Sequence, residues 1–257
     1  MKETKPKISC FVCKWAGHDE ELTSMSKRKA FSNVDVVTVP CLGRVDPTTV
    51  LESMLRGVDG VILLGCAIPD CHFIKGNVYA NITMNVLKKL LRLTALEHDR
   101  LEIRLISAIE DKKLANIVGQ FARRLKKFGP SPLSEDKKDS TVFREVLAAK
   151  NAVADFRLRA VIGKEKQLTS DSNTYGETVA QEDYEAFTDG VIQTEFIRHK
   201  MLLSIKEKPT SVKELAEDLG LKPALVFRHI LNMRRQGVVT MDHVEGTTPI
   251  YKALEAQ

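Results

Sequence analysis

The chain has 257 residues, 43% of them hydrophobic and 28% charged, an ordinary globular mixture with ample material for a core. Its net charge of +5 permits an acidic partner without demanding one. The polar start Met1–Lys7 has no signal-peptide core and no apolar run approaches bilayer-spanning length, so the expectation is a cytoplasmic protein without a membrane span.

Strand-like runs rich in Val, Ile and Leu stand at Lys7–Val12, Val34–Val39, Gly60–Leu64 and Leu101–Ser107. Helical patterns separate them. Asp46-Pro47 reads as an N-cap and first turn for a helix carrying Val50, Leu51, Met54 and Leu55. Further helices are predicted from about Val78 to Leu96 and from about Asp111 to Phe128, where Gly129-Pro130 stops the chain. Alternating strands and helices imply α/β architecture, a small parallel flavodoxin-like sheet with helices on both faces. A polar break from Gly129 to Ser140 marks a boundary. Beyond it, Val142, Val146, Ala149, Val153 and Phe156 predict one helix of about twenty residues from Thr141. Lys164–Glu177 reads as a loop, and a second helical stretch begins at Val179.

The last sixty residues have their own order. A helix over Glu195–Glu207 precedes Ser211, which caps a short helix with Glu214 in the capping-box position and Gly220 as its stop. Lys222-Pro223 opens a helix reaching about Gln236, and strands at Val238–Met241 and Ile250–Ala253 flank a Glu-Gly-Thr-Thr-Pro turn. This order is a winged helix-turn-helix, and its Leu-Ala-x-x-Leu-Gly-Leu spacing resembles ArsR- or MarR-type regulators. The division expected is 7–133, a helical connecting segment 141–193, and the winged helix 194–257.

All five cysteines, Cys10, Cys13, Cys41, Cys66 and Cys71, lie in the first 71 residues. Cys10 and Cys13 close the first strand, while Cys41 and Cys66 follow the second and third. Three loops therefore bring thiols to the carboxyl edge of the sheet, where such folds bind ligands. Soft thiolates select iron–sulfur clusters or zinc, and composition leaves those two open. A redox couple or inert buried cysteine are the plainer alternatives. No phosphate-binding glycine motif, Ser–His–Asp set or carboxylate pair is visible, so nothing argues for a self-sufficient catalyst.

Residues 8 to about 133 resemble the delta, iron–sulfur subunit of methyl-viologen-reducing hydrogenase. The matching stretches are Cys10-Phe-Val-Cys13-Lys-Trp15-Ala-Gly17-His-Asp19, Cys41-Leu-Gly43-Arg44-Val-Asp46-Pro47, Gly57-Val-Asp59-Gly60-Val-Ile-Leu-Leu-Gly65-Cys66, Asp70-Cys71-His72-Phe-Ile-Lys-Gly76-Asn77-Val-Tyr79 and Leu87-Lys-Lys-Leu-Leu. The resemblance implies a 2Fe–2S cluster held by cysteines. It further implies electron transfer between a hydrogenase or dehydrogenase partner and a flavin-bearing, heterodisulfide-reductase-like A subunit. Phe11-Val12 replaces the family's usual Asn-Trp inside the first cysteine pair. Cys10, Cys13, Cys41 and Cys66 are the expected ligands, with Cys71 as substitute or support.

Around the sulfurs, Arg44 is expected either beside the cluster or paired with Asp46 or Asp70. His72, with His18, is a remote candidate for iron ligation, and Lys14 and Trp15 for a docking surface. In the winged helix, Lys222, Arg228, Arg234 and Arg235 are candidate DNA contacts, with no Asp or Glu from Lys222 to Met241. Glu214, Glu217 and Asp218 oppose that reading, and docking to protein remains the rival. The favoured function is electron relay, and the alternative is an iron–sulfur redox sensor that binds DNA. A zinc-bound adaptor is the third possibility.

Overall fold

Four short apolar runs pair side by side to make the central sheet. The computed structural model describes residues 5–16, 31–107, 114–133, 137–172 and 175–254. Strands β1 (Ile8–Cys13), β2 (Val34–Val39), β3 (Gly60–Cys66) and β4 (Leu101–Ile106) are all parallel, in the order β2-β1-β3-β4. Every residue of β3 is buried, as a strand covered on both faces requires, whereas edge strand β2 is half-buried at alternate positions. The strand order reverses between β1 and β3, so the crevice beyond their carboxyl ends is where this topology places ligands.

Helix α1 (Pro47–Leu55) starts as the Asp46-Pro47 pair foretells, with the Asp46 carboxylate accepting from the Thr48 amide. Helix α2 (Gly76–Leu91) follows β3, and α3 (Leu114–Phe128) follows β4. Residues 111–113, where the third helix was expected to begin, lie outside the described residues. Leu114, Val118, Phe121 and Leu125 of α3 pack on one sheet face against Ile8, Val12, Ile62 and Leu64. Both crossovers carrying α1 and α2 run in the same direction along the sheet, and right-handed connections put them on the opposite face. Expected as Val78–Leu96, α2 instead starts at Gly76 and ends at Leu91.

Arg100 locks the far end of this domain. Its side chain is 2% exposed. It donates to the Glu97 carboxylate (2.7 Å) and to the carbonyls of Asp59 (3.0 Å) and Gly129 (3.1 Å). Replacing it with Met leaves those carbonyls without a donor, so Arg100→Met is expected to lower unfolding free energy by about 3 kcal/mol in urea titration.

Two helices extend the same unit. The single helix expected from Thr141 is two: α4 (Thr141–Ala154) and α5 (Phe156–Ser170). Asp155 adopts an extended ψ of 137° and caps α5 through the Arg157 amide, which breaks the run. The expected loop over Lys164–Glu177 is helical up to Ser170, a correction with a plain cause. Only Leu158, Val161 and Ile162 of α5 are buried, so most of the helix faces water and its composition resembles a loop. Both α4 and α5 pack on α2, and α4 also packs on α1. The stretch expected at Glu195–Glu207 belongs to a longer helix, α6 (Gln181–Glu207).

The chain divides into two compact units, residues 1–192 and 193–257. In the second, β5 (Thr210–Ser211), α7 (Val212–Leu219), α8 (Pro223–Arg235), β6 (Val239–Glu245) and β7 (Thr248–Ala253) make a winged helix with sheet order β5-β7-β6. The Ser211–Glu214 capping box is complete, and Gly220 takes the left-handed conformation (φ 63°) that ends α7. Met201, Leu215, Val226, Ile230, Met233 and Tyr251 fill its core. The wing turn is tighter than expected, only Gly246-Thr247 separating the strands. Among the described residues no helix is long and apolar enough to cross a membrane.

Candidate metal centre

Cys13 is the last residue of β1 and Cys66 the last of β3, neighbouring strands on either side of the reversal in strand order. Their sulfurs lie 3.7 Å apart. Cys41 stands just before a 3-10 turn, Leu42–Arg44, and Cys71 lies in the loop between β3 and α2. The first turn of α2 brings these two sulfurs together. A Cβ on Gly76 would stand 2.3 Å from the Cys41 sulfur and 3.5 Å from that of Cys71, so only glycine leaves room there. The 3-10 turn in turn needs Gly43, whose Cβ would meet the Gly76 carbonyl at 2.8 Å.

Cys10 goes elsewhere. It is fully buried in the middle of β1, among Ile8, Val12, Ile62 and the residues of α3. In a strand, residues three apart point to opposite faces, so Cys10 and Cys13 diverge. Cys71, the expected substitute, thus lies beside Cys41, and Cys10, one of the expected ligands, lies in the core. All five thiols are free.

Burial pushes the Cys10 thiol up to about 12. Cys66 rises to about 11, first through burial and then through the Cys13 sulfur, against a hydrogen bond from the His72 amide. Cys41 is raised by burial first, and the sulfurs of Cys71 and Cys13 add to it, while the Gly43 amide lowers it. Cys41 and Cys66 therefore keep their protons in the metal-free protein, and a bound cation would have to displace them. The donors fit an anionic thiolate group: amides of Gly43 and His72 aim at sulfur, and the positive end of α2 opens beside Cys41 and Cys71.

Asn77 fixes the loop after β3. Its side chain is buried and donates to the carbonyls of Cys66 (3.0 Å) and Ala67 (2.9 Å). Leucine has the same bulk without the donors, so Asn77→Leu is expected to cost about 2–4 kcal/mol, read by chemical denaturation. Sequence reasoning gave Asn77 no role; a polar residue one step inside a helix that follows a cysteine loop is the signal it missed.

The remaining residues sort plainly. Trp15 stacks on His72 with ring centroids 3.6 Å apart and is half exposed. Phe73 meets the His72 ring edge-on, and Ile68, Phe73, Ile74 and Tyr79 are exposed beside the cysteine loops. Lys14 is exposed, and so is Arg44; its expected partners are engaged elsewhere, Asp46 by Arg159 and Asp70 by Ser107. His18 lies outside the described residues. In the winged helix Lys222, Arg228, Arg234 and Arg235 line the α8 region, where Phe227 and Leu231 are exposed as well.

The sequence model of a family described as "Methyl-viologen-reducing hydrogenase, delta subunit" matches residues 8–129, the sheet and its cysteine loops. The F420-non-reducing hydrogenase iron-sulfur D subunit of Archaeoglobus profundus is 36% identical over 130 residues, which is 50% of this chain and 95% of that protein. This chain belongs to the methyl-viologen-reducing hydrogenase delta subunit family. Another relative of that kind, the F420-non-reducing hydrogenase vhu iron-sulfur D subunit of Methanocaldococcus jannaschii, is 30% identical over 129 residues, 50% of this chain and 96% of that protein. The A subunit of the Ferredoxin/F(420)H(2)-dependent CoB-CoM heterodisulfide reductase of Methanosarcina acetivorans is 35% identical over 130 residues. That match covers 50% of this chain but only 16% of the reductase protein. Outside the delta-type domain, a family described as "Bacterial regulatory protein, arsR family" matches residues 197–241.

Proposed function

We propose that the chain is an electron-transfer subunit whose Cys13, Cys41, Cys66 and Cys71 hold a 2Fe–2S cluster. It relays electrons between a hydrogenase or dehydrogenase partner and a heterodisulfide-reductase-like flavoprotein in the cytoplasm. The observation that carries this reading is the pairing of sulfurs at the switch point of the sheet. A four-thiolate zinc site brings every sulfur within about 3.8 Å of the others, from tetrahedral geometry and its metal–sulfur bond length. Here Cys13 and Cys66 approach that closely, yet no three cysteine sulfurs among the described residues lie within 4.8 Å of one another. Two close pairs suit two irons, each taking two thiolates.

A bound 2Fe–2S group supplies one-electron redox chemistry. The protein's part is to hold and tune it. Amides of Gly43 and His72 and the start of α2 favour added negative charge at the sulfurs and raise the potential. The exposed rim of Trp15, Ile68, Phe73, Ile74 and Tyr79 gives a docking partner an apolar surface from which water is expelled beside the sulfurs. The names of the relatives support both partner classes. The reading is tested by reducing anaerobically purified protein with dithionite and recording its EPR spectrum. One unpaired spin per chain is expected, and a silent spectrum from iron-loaded, dithionite-treated protein would sink it.

One observation favours the sensor alternative. Lys222, Arg228, Arg234 and Arg235 stand on and beside α8, with no carboxylate from Lys222 to Met241. Against it, Phe227 and Leu231 of the same helix are exposed, and the wing carries Asp242 and Glu245. The relay reading expects only salt-dependent, non-specific duplex binding, with Kd no tighter than about 10⁻⁶ M at physiological salt. Fluorescence anisotropy that finds a genomic site bound at about 10⁻⁸ M would favour the sensor instead.

A further inference from the structure

Arg159 lies in α5, outside the stretch that matches the delta subunit family. It nevertheless reaches into that stretch. Its Nη2 donates to the Asp46 carboxylate at 2.7 Å, and its Nε donates to the Val153 carbonyl at 2.7 Å. The same Asp46 oxygen accepts from the amide (2.8 Å) and hydroxyl (2.6 Å) of Thr48 as the N-cap of α1. Asp46 directly follows the short turn that begins at Cys41, in which the Arg44 amide donates to the Cys41 carbonyl and the Val45 amide to that of Leu42. The guanidinium therefore grips the hinge between the Cys41 turn and α1. A second contact from the appended helices, Lys150 with Glu52, ties α1 down further along.

We propose that Arg159 is a positioning residue for the cluster: it holds the Cys41 turn in register with Cys71 and lets the appended helices set the stability and potential of the metal centre. This rests on the cluster reading above. A partly exposed ion pair adds little to folding stability, so the effect belongs at the metal centre rather than in the melting curve. Removing the guanidinium frees the turn and leaves the Asp46 charge unbalanced, which disfavours an added electron.

The test uses the full chain purified without oxygen, with iron and sulfide content measured before anything else. In Arg159→Ala, loss of the cluster to a chelator is expected to be about tenfold faster and the potential lower, with the EPR linewidth changed. Arg159→Lys should restore most of both. Asp46→Asn keeps an N-cap oxygen for Thr48 and loses the charge that Arg159 pairs with. It should reproduce the faster loss, and the double variant should add nothing further. Arg159→Ala at full iron content with wild-type loss rate and potential would overturn this inference alone, as would additive effects of the two substitutions on the loss rate. Wild-type protein without a cluster would overturn the parent reading as well.

Discussion

Serine in place of Cys13, Cys41, Cys66 or Cys71 is expected to leave less than about a tenth of wild-type iron and sulfide, because each removes one of the four thiolates of the proposed cluster. Cys10→Ser should retain the full complement. Its cost lies in the fold: a hydroxyl replaces a thiol among Ile8, Val12, Ile62 and Phe121, all of them buried. Burying an unsatisfied hydroxyl costs about 1–3 kcal/mol, so the variant should unfold at lower denaturant while keeping its visible spectrum. Iron analysis and a denaturant titration on the five variants separate the two behaviours. Loss of iron in Cys10→Ser with retention in Cys71→Ser would return the ligand set to the one first expected.

The second large effect is at Gly76. By helix propensity alone, Gly76→Ala near the start of α2 should be neutral or stabilising by up to about 1 kcal/mol. The site predicts the reverse for the metal. A methyl 2.3 Å from the Cys41 sulfur forces that side chain to turn away, and the same methyl touches Cys71 at 3.5 Å. The metal-free protein accommodates this by rotating one side chain, since the atom displaced is the end of a flexible group. The proposed cluster has no such freedom, because it needs Cys41 to face Cys71. Iron content is expected to fall to less than about a tenth while the metal-free melting temperature stays within a few degrees of wild type. Wild-type iron in Gly76→Ala would show that Cys41 is not a ligand.

Much of the fold was legible because its signals are local. Val61-Ile62-Leu63-Leu64 reads as a strand buried on both faces and is one, and Asp46-Pro47 and Ser211–Glu214 cap the helices they announce. The reading failed where tertiary packing outweighs composition. Helix α5 buries only Leu158, Val161 and Ile162, so its water-facing majority looked like a loop, and Asp155 split a run whose apolar spacing continued through it. At the candidate metal centre, strand order brings the cysteine loops to one edge of the sheet, as it does in the structure. Which sulfurs lie together there does not follow from it. Cys10-Phe-Val-Cys13 looks like a chelating pair in one dimension, although the alternation of a strand already sends those two sulfurs to opposite faces. The approach of Gly76 to Cys41 joins positions 35 residues apart, and the grip of Arg159 on Asp46 spans 113, so neither leaves a trace in the spacing of either segment.

The central claim is that paired thiolates at the switch point hold two irons. Iron, acid-labile sulfide and zinc should be counted per chain in protein purified without oxygen. The account predicts two irons, two sulfides and no stoichiometric zinc. One zinc per chain without sulfide would contradict it and leave a zinc-bound adaptor on the same fold.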